Sequence, residues 1–148
     1  MADDYQVREF MTSPCTSIGS DARLLDAALT LRRSGFRHLP IVKGEKLVGI
    51  ITDRDINRYA PSLLSNISQE DYNAIFEETP LERVMTRDPL SVTPSTPVRE
   101  AVAILHNRKL GCLPVVEEDR LVGILTTNDC LKLLHRLLPG DKDGPAAL

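Results

Sequence analysis

A repeat of 74 residues constrains this 148-residue chain more than any other feature. Residues 47–55 read LVGIITDRD, and residues 121–129 read LVGILTTND. Aligning 11–57 with 85–131 requires no gap and gives 14 identities in 47 positions. The paired landmarks include Met11-Thr12 with Met85-Thr86 and Leu39-Pro40 with Leu113-Pro114. One structural unit is therefore used twice, and the two copies are expected to share a core because units of about 60 residues bury little surface alone.

The repeated stretch predicts a buried strand that leads directly into a helix. Its continuous apolar run is typical of a strand covered on both faces. Gly49 and Gly123 interrupt this run, and a glycine in such a strand indicates close approach by another backbone or a ligand. Thr52 stands where the helix should begin, and Asp55 follows three residues later on the same helical face. Thr126 and Asp129 repeat this arrangement.

Two interpretations of the Thr-x-x-Asp pair follow from its chemistry. In the first, the hydroxyl and the carboxylate only cap free N–H groups at the start of the helix. In the second, the carboxylate accepts hydrogen bonds from a vicinal diol such as the 2′- and 3′-hydroxyls of ribose. Because the pair occurs twice in matched context, we favour the ligand.

These motifs resemble the CBS domain, a regulatory module named after cystathionine β-synthase, present as a tandem pair over roughly residues 5–138. The long segment between the repeats resembles stand-alone bacterial proteins of the acetoin-utilisation type. The resemblance implies an α/β (α+β) fold in which two β-α-β-β-α repeats pack with pseudo-two-fold symmetry and leave two clefts. We expect the first repeat at 5–60, a linker at 61–79 with a helix at about 68–78, the second repeat at 80–138 and a flexible tail at 139–148.

Composition and motifs argue against several other classes of protein. A net charge of −3 and 4% aromatic residues give no basic stripe or stacking platform for nucleic acid. No apolar stretch is long enough for a membrane span, the N-terminus is unlike a signal peptide, and three scattered cysteines suggest a reducing cytoplasm. Asp53 and Asp55 imitate a paired-carboxylate metal site, but no third ligand follows at the required spacing. We therefore expect no catalysis and no metal site.

The resemblance assigns candidate ligand residues to both clefts. In nucleotide-binding relatives, basic residues at the positions of Arg37 and His38 reach phosphates, and the planar guanidinium of Arg37 suits this role. The second cleft keeps Thr126 and Asp129, but Gly111-Cys112 replaces the basic pair, so this cleft could borrow Arg37 or Arg54, hold a neutral adenosine or stay empty. The nucleotide-binding prediction comprises Ser17, Ile18, Arg37, His38, Thr52, Asp53, Arg54, Asp55, Ser91, Val92, Cys112, Leu113, Pro114, Thr126, Asn128 and Asp129.

The resemblance also implies a function. We expect a non-enzymatic sensor that requires no cofactor, binds an adenosine-containing molecule (AMP, ADP, ATP or S-adenosylmethionine) and signals to an unidentified regulated protein. Association as a homodimer through helices is common in the family, and the leucine-rich final helix is consistent with it, although these leucines could also pack internally. The alternative is a structural dimerisation module with vestigial clefts. A metal-dependent hydrolase at Asp53 and Asp55 is a third hypothesis.

Overall fold

Two copies of a β-α-β-β-α unit form the protein, as the repeat predicts. The computed structural model describes residues 5–60 and 67–140. The strands are β1 (Ile18–Gly19), β2 (His38–Lys43), β3 (Lys46–Thr52), β4 (Thr86–Arg87), β5 (Cys112–Glu117) and β6 (Arg120–Thr126). The helices are α1 (Leu24–Ser34), α2 (Asp53–Tyr59), α3 (Gln69–Glu78), α4 (Val98–Arg108) and α5 (Thr127–Leu137), and single 3₁₀ turns lie at Val7–Glu9 and Leu81–Arg83.

The helix between the repeats is present as α3, so the extra helix expected at about 68–78 is confirmed. Ser68 caps it, because its side-chain oxygen accepts the backbone N–H of Asp71 at 3.0 Å. The beginning of the predicted linker (61–66) and most of the predicted tail (141–148) lie outside the described residues.

A single sheet joins the repeats in the order β1-β2-β3-β6-β5, with β4 added to β3. Each repeat contributes a hairpin, and the two hairpins meet where Lys46 pairs with Arg120. Two backbone hydrogen bonds flank this pair, from Leu47 N to the Asp119 carbonyl at 3.3 Å and from Leu121 N to the Glu45 carbonyl at 3.0 Å. These reciprocal bonds show the expected pseudo-two-fold relationship, although the seam between the hairpins is short.

Helices α1 and α4 cover their own hairpins with matching apolar faces. Leu24, Ala27 and Leu31 of α1 are buried, at the spacing that places side chains on one helical face. Their counterparts Val98, Ala101 and Leu105 of α4 are buried in the same way. Each helix ends at a residue in the left-handed conformation, which is Gly35 (φ 72°) after α1 and Lys109 (φ 55°) after α4.

The segment that leads into each repeat packs in the core of the other repeat. Val7, at the start of the chain, is fully buried in a cluster with residues of repeat two that include Leu113 and Leu125. Leu81, the counterpart of Val7 at the start of repeat two, is fully buried in the cluster formed by α1, β2 and β3 of repeat one. The lead-ins are thus exchanged between the repeats, so that neither core is complete without a segment from the other half.

Gly49 and Gly123 lie where these exchanged segments cross the sheet. A β-carbon at Gly123 would lie 2.9 Å from the Thr12 carbonyl oxygen, and one at Gly49 would lie 2.5 Å from Met85 Sδ. Thr12 exchanges two backbone hydrogen bonds with Ile124, at 2.8 and 3.0 Å, and Thr86 pairs with Ile50 in the same manner. The close approach at both strand glycines is therefore by the exchanged segments: by the Thr12 backbone at Gly123, and by the Met85 side chain and the Thr86 carbonyl oxygen (3.1 Å) at Gly49.

Helix α5 turns most of its leucines away from the core. Leu133 is buried, whereas Leu131, Leu134 and Leu138 at its end are 60%, 49% and 56% exposed. Internal packing therefore does not account for these apolar side chains. None of the helices within 5–60 and 67–140 combines the length and the apolar character that a membrane crossing requires.

Candidate functional site

A cavity of about 1060 Å³ lies between the two repeats. One wall is the end of β3 and the first turns of α2, together with Arg37 and His38 from the start of β2. The facing wall comes from repeat two, as the segment from Thr86 to Leu90 and the segment from Lys109 to Pro114. Because the lead-in of repeat two crosses onto β3, residues that are distant in sequence meet at this place.

Thr52 and Asp55 form a reciprocal cap at the start of α2. The Asp55 backbone N–H donates to Thr52 Oγ1 at 3.1 Å, and the Thr52 backbone N–H donates to Asp55 Oδ2 at 2.9 Å. The interpretation of Thr52 and Asp55 as a helix cap is therefore correct, but it does not account for all of their hydrogen-bonding groups. Both side chains also line the cavity, and within the described residues no hydrogen bond reaches Asp55 Oδ1. One carboxylate oxygen and the Thr52 hydroxyl hydrogen thus remain for a ligand.

His38 is half-buried beside this cap, opposite Thr52 in the β2–β3 pairing. Burial lowers the pKa of its imidazole below the ordinary value of 6.5, and the positive charge of Arg37 lowers it further. The carboxylates of Asp53 and Asp55 act in the opposite direction but do not cancel the effect of burial. At neutral pH His38 is therefore an uncharged hydrogen-bonding group.

Four permanent cations line the cavity, namely Arg37, Arg54, Arg58 and Lys109. Within the described residues, no carboxylate oxygen lies within 4.0 Å of their side-chain nitrogens. The carboxylates of the cavity are those of Asp53, Asp55 and Asp88. Asp53 Oδ1 accepts the backbone N–H of Arg54 at 2.8 Å and helps to begin α2. With four cations and three carboxylates, the lining carries a net positive charge, which favours an anionic ligand.

The predicted ligand residues divide into two groups in the structure. Half of them line this one cavity: Arg37, His38, Thr52, Asp53, Arg54, Asp55, Cys112 and Pro114. Ser17 lines a separate cavity of about 250 Å³ beside the hairpin turns. The cavity between the repeats does not include Ile18, Ser91, Val92, Leu113, Thr126, Asn128 or Asp129. Leu113 is fully buried in the core of repeat two, and Val92 lies in the same cluster.

Gly111 and Cys112, which the sequence placed in a second cleft, line the same cavity as Arg37 and His38. The two pairs occupy equivalent positions before β5 and β2, and they meet near the pseudo-two-fold axis. Burial raises the pKa of the Cys112 thiol to about 12, with a further contribution from Cys15. Cys112 is therefore an uncharged, space-filling residue at neutral pH. All three cysteines are free.

Thr126 and Asp129 form the equivalent cap at the start of α5, but their surroundings differ from those of Thr52 and Asp55. Asp129 is only 4% exposed. Its Oδ2 accepts both the backbone N–H of Thr126 at 2.9 Å and the Thr126 hydroxyl at 3.1 Å. The hydroxyl hydrogen that is free at Thr52 is thus used within the protein at Thr126. Thr126 and Asp129 thus form the same reciprocal cap with one additional hydrogen bond, and they do not line the cavity between the repeats.

Sequence reasoning did not identify several residues of the cavity. Arg58 is one helical turn beyond Arg54, so a search along the α2 face would have found it. The segment from Thr86 to Leu90 carried no signal, because the exchange of lead-ins cannot be read from the repeat. The sequence did carry a signal for Lys109, because the alignment of the repeats pairs this lysine with Gly35. Among the described residues, no group of three or more His, Cys, Asp or Glu side chains is arranged to hold a metal ion.

Comparison with known proteins identifies the family. The CBS domain matches this chain twice, at residues 7–62 and 70–136. The chain belongs to the CBS domain family. A Vibrio cholerae protein described as an acetoin utilization protein (AcuB) superposes with a TM-score of 0.74 and 34% identity, over 90% of this chain and 92% of that one. The tandem arrangement expected from the repeat is thus confirmed.

Two similar CBS structures contain adenosine compounds. The CBS domain pair of protein MJ0100, in complex with 5′-methylthioadenosine and S-adenosyl-L-methionine, has a TM-score of 0.71 and 28% identity, covering 88% of this chain and 99% of that one. CBSX2 in complex with AMP has a TM-score of 0.78 and 25% identity, covering 91% and 99%. MJ1225 of Methanocaldococcus jannaschii is 33% identical over 132 residues, but this CBS chain spans only 45% of its length.

Proposed function

We propose that this CBS pair is a regulatory module that binds an adenine nucleotide between its repeats and signals occupancy to a regulated protein. The observation that carries the proposal is the cavity itself. It brings the Thr52–Asp55 cap and the Arg37-His38 pair of repeat one against two segments of repeat two. A ligand in this space contacts both halves of the molecule at once.

The chemistry of the cavity suits the parts of a nucleotide. Asp55 Oδ1 and the Thr52 hydroxyl offer an acceptor and a donor for the two ribose hydroxyls. Ile50, Leu90 and Pro114 give apolar surface for a base. Arg37 provides a planar guanidinium for phosphate oxygens. Such a combination of apolar walls and a few directed polar groups is typical of small-molecule sites.

The ligands seen in similar CBS pairs support the same class of molecule. AMP is bound in one, and 5′-methylthioadenosine with S-adenosylmethionine in another. The candidate ligands for this chain are accordingly AMP, ADP, ATP and S-adenosylmethionine, acting as regulators and not as required cofactors. We propose no catalytic role, and we place the protein in the cytoplasm, where these molecules are abundant and its thiols stay reduced.

Signalling requires that the ligand bind two arrangements of the repeats unequally. Among the described residues, the strand pairing between the two hairpins is limited to Lys46 and Arg120, so a small change of angle at this seam would open or close the cavity. Helix α3 is suited to report such a change. It has no fully buried residue, and it connects to the cavity through Leu81 and β4. We propose that the regulated protein senses this helix.

The exposed leucines of α5 favour a homodimer. Leu131, Leu134 and Leu138 present apolar side chains on a helix whose other face is already packed. A second copy of the chain could bury them against its own α5, as expected for self-complementary contacts around a two-fold axis. The same leucines would support the alternative function, a dimerisation module whose clefts are vestigial.

Isothermal titration calorimetry with AMP, ADP, ATP and S-adenosylmethionine distinguishes these functions. The matched variants are Asp55→Asn and Asp129→Asn, because each keeps an oxygen that can accept the capping N–H, but only Asp55 lines the cavity. Asp55→Asn should weaken nucleotide binding by about 1–3 kcal/mol, whereas Asp129→Asn should leave it unchanged. Absence of heat with all four ligands would favour the dimerisation module.

A further inference from the structure

Lys109 has a backbone conformation that is unusual for a residue with a side chain. Its φ and ψ angles are 55° and 45°, in the left-handed region, at the residue that ends α4. The equivalent residue after α1 is Gly35, with φ 72°. Only glycine adopts this conformation without steric cost, and lysine is an uncommon choice for it. A residue with a costly backbone conformation beside a cavity suggests a role for its side chain there.

Among the described residues that line the cavity, Lys109 is the only cation from repeat two. The other three are Arg37, Arg54 and Arg58, all from repeat one. Lys109 is exposed, and no carboxylate of the described residues lies within 4.0 Å of its ammonium group. The cations therefore face the same space from the two halves of the protein.

The pseudo-symmetric positions lack this set of charges. Arg37, Arg54 and Arg58 correspond to Gly111, Asn128 and Lys132, and Lys109 corresponds to Gly35. The cavity thus has four cations and three carboxylates (Asp53, Asp55 and Asp88), whereas the pseudo-symmetric positions have one cation, Lys132, and one carboxylate, Asp129. Asp129 is also buried, whereas Asp55 is half-buried, and Asp129 accepts the Thr126 hydroxyl in addition to the capping N–H bond that both pairs make. These differences favour a multiply charged anion in the cleft of Thr52 and Asp55 over the pseudo-symmetric one.

We infer that each chain binds one nucleotide carrying two or three phosphates, and that Lys109 holds the distal phosphates against the arginines of repeat one. This inference rests on the proposed function and adds the class of nucleotide, the stoichiometry and a residue of the second repeat. A single phosphate beside the ribose is satisfied by Arg37 and its neighbours. A longer phosphate chain also reaches Lys109 and so connects the two repeats. S-adenosylmethionine, which carries positive charge, gains nothing from these cations.

Calorimetric titration of AMP, ADP and ATP into the full chain tests the inference. The wild type should bind one ATP or ADP per chain, and either more tightly than AMP. Lys109→Gln should weaken ATP binding by about twofold to fivefold, the scale of one exposed ionic contact, and leave AMP binding unchanged. Lys109→Arg should restore most of the ATP affinity. Lys43→Gln is the matched control, because Lys43 is an exposed lysine of the β2–β3 turn that does not line the cavity.

Lys109→Gly supplies a second, independent readout. Glycine takes the left-handed conformation without cost, so this variant should keep or raise the thermal midpoint of the ligand-free protein while losing ATP affinity as Lys109→Gln does. Two nucleotides per chain, or equal losses for AMP and ATP, would overturn the inference while leaving the proposed function intact. No binding of any nucleotide by the wild type would overturn both.

Discussion

His38 Nε2 lies where a side chain at position 111 would have to go, because a β-carbon on Gly111 would be 2.5 Å from it. The two residues come from different repeats. Gly111 is the counterpart of Arg37, and Cys112 is the counterpart of His38. Near the two-fold axis there is room for one basic pair only, so the absence of a side chain at Gly111 makes space for the imidazole of the other half.

Gly111→Ala should therefore displace His38. We expect the added methyl group to lower the free energy of unfolding by about 1–3 kcal/mol, the usual cost of overpacking, and to push the imidazole into the cavity, which weakens nucleotide binding. Urea denaturation and calorimetry measure the two effects. In a His38→Ala background the same substitution should cost much less. Equal costs in both backgrounds would show that the two residues do not compete for space.

The strand glycines lead to a second prediction about the exchanged lead-ins. A β-carbon at Gly123 would meet the Thr12 carbonyl oxygen at 2.9 Å, which is backbone and cannot easily move. At Gly49 the nearest atom is Met85 Sδ at 2.5 Å, the end of a flexible side chain. Gly123→Ala should consequently destabilise the protein more than Gly49→Ala. Adding Met85→Ala should relieve part of the Gly49→Ala cost, as thermal denaturation of the three variants can show.

The sequence predicted the repeated unit well because strand periodicity, turn residues and helix caps are local signals. Leu24, Ala27 and Leu31 recur at helical spacing in the sequence and share one buried face, and α3 lies in the segment of about 68–78 where a helix was expected. Val102 is an exception. Its spacing from Val98, Ala101 and Leu105 fits the apolar stripe of α4, but it is 38% exposed, because it lies at the boundary of that stripe.

The exchange of lead-ins could not be predicted, since a repeat gives the same signal whether each lead-in packs on its own unit or on the other one. The same ambiguity affected the prediction of the ligand residues, because both repeats carry the same motif. Thr52–Asp55 and Thr126–Asp129 share a motif and a capping geometry, yet only the first pair lines the cavity between the repeats. That difference depends on which segments cover each helix start, and this is decided by tertiary packing.

Leu81→Ala tests the exchange directly. Leu81 belongs by sequence to repeat two but is fully buried in the core of repeat one. Truncating it should cost about 2–5 kcal/mol, the usual range for a buried leucine. Hydrogen exchange should then become faster in β2 and β3 before it does in β5 and β6. Leu29→Ala, at a leucine of α1 that is 38% exposed, is the control. Faster exchange limited to repeat two would contradict the exchanged arrangement.

The leucine face of α5 should mediate dimer formation. Leu131→Glu combined with Leu134→Glu places two charges on the side chains proposed to meet their copies, and a charge buried without a partner is costly. Sedimentation velocity should show a dimer for the wild type and a monomer for the double variant. Lys132→Glu, on the same helix and also exposed, should leave the dimer intact. A dimer that survives the double substitution would place the interface elsewhere.

His38 should make the stability of the protein depend on pH. Burial, and next the charge of Arg37, lower the pKa of the folded imidazole, whereas the unfolded imidazole keeps an ordinary value near 6.5. As the pH falls below 6.5, the unfolded chain therefore binds the proton first, and the free energy of unfolding decreases until the folded imidazole is protonated as well. Thermal midpoints measured from pH 7.5 down to pH 5 should fall more steeply for the wild type than for His38→Gln. Both proteins retain His106 and His135, so the difference between their profiles isolates His38. Parallel profiles would mean that the imidazole is no more desolvated in the folded protein than in the unfolded chain.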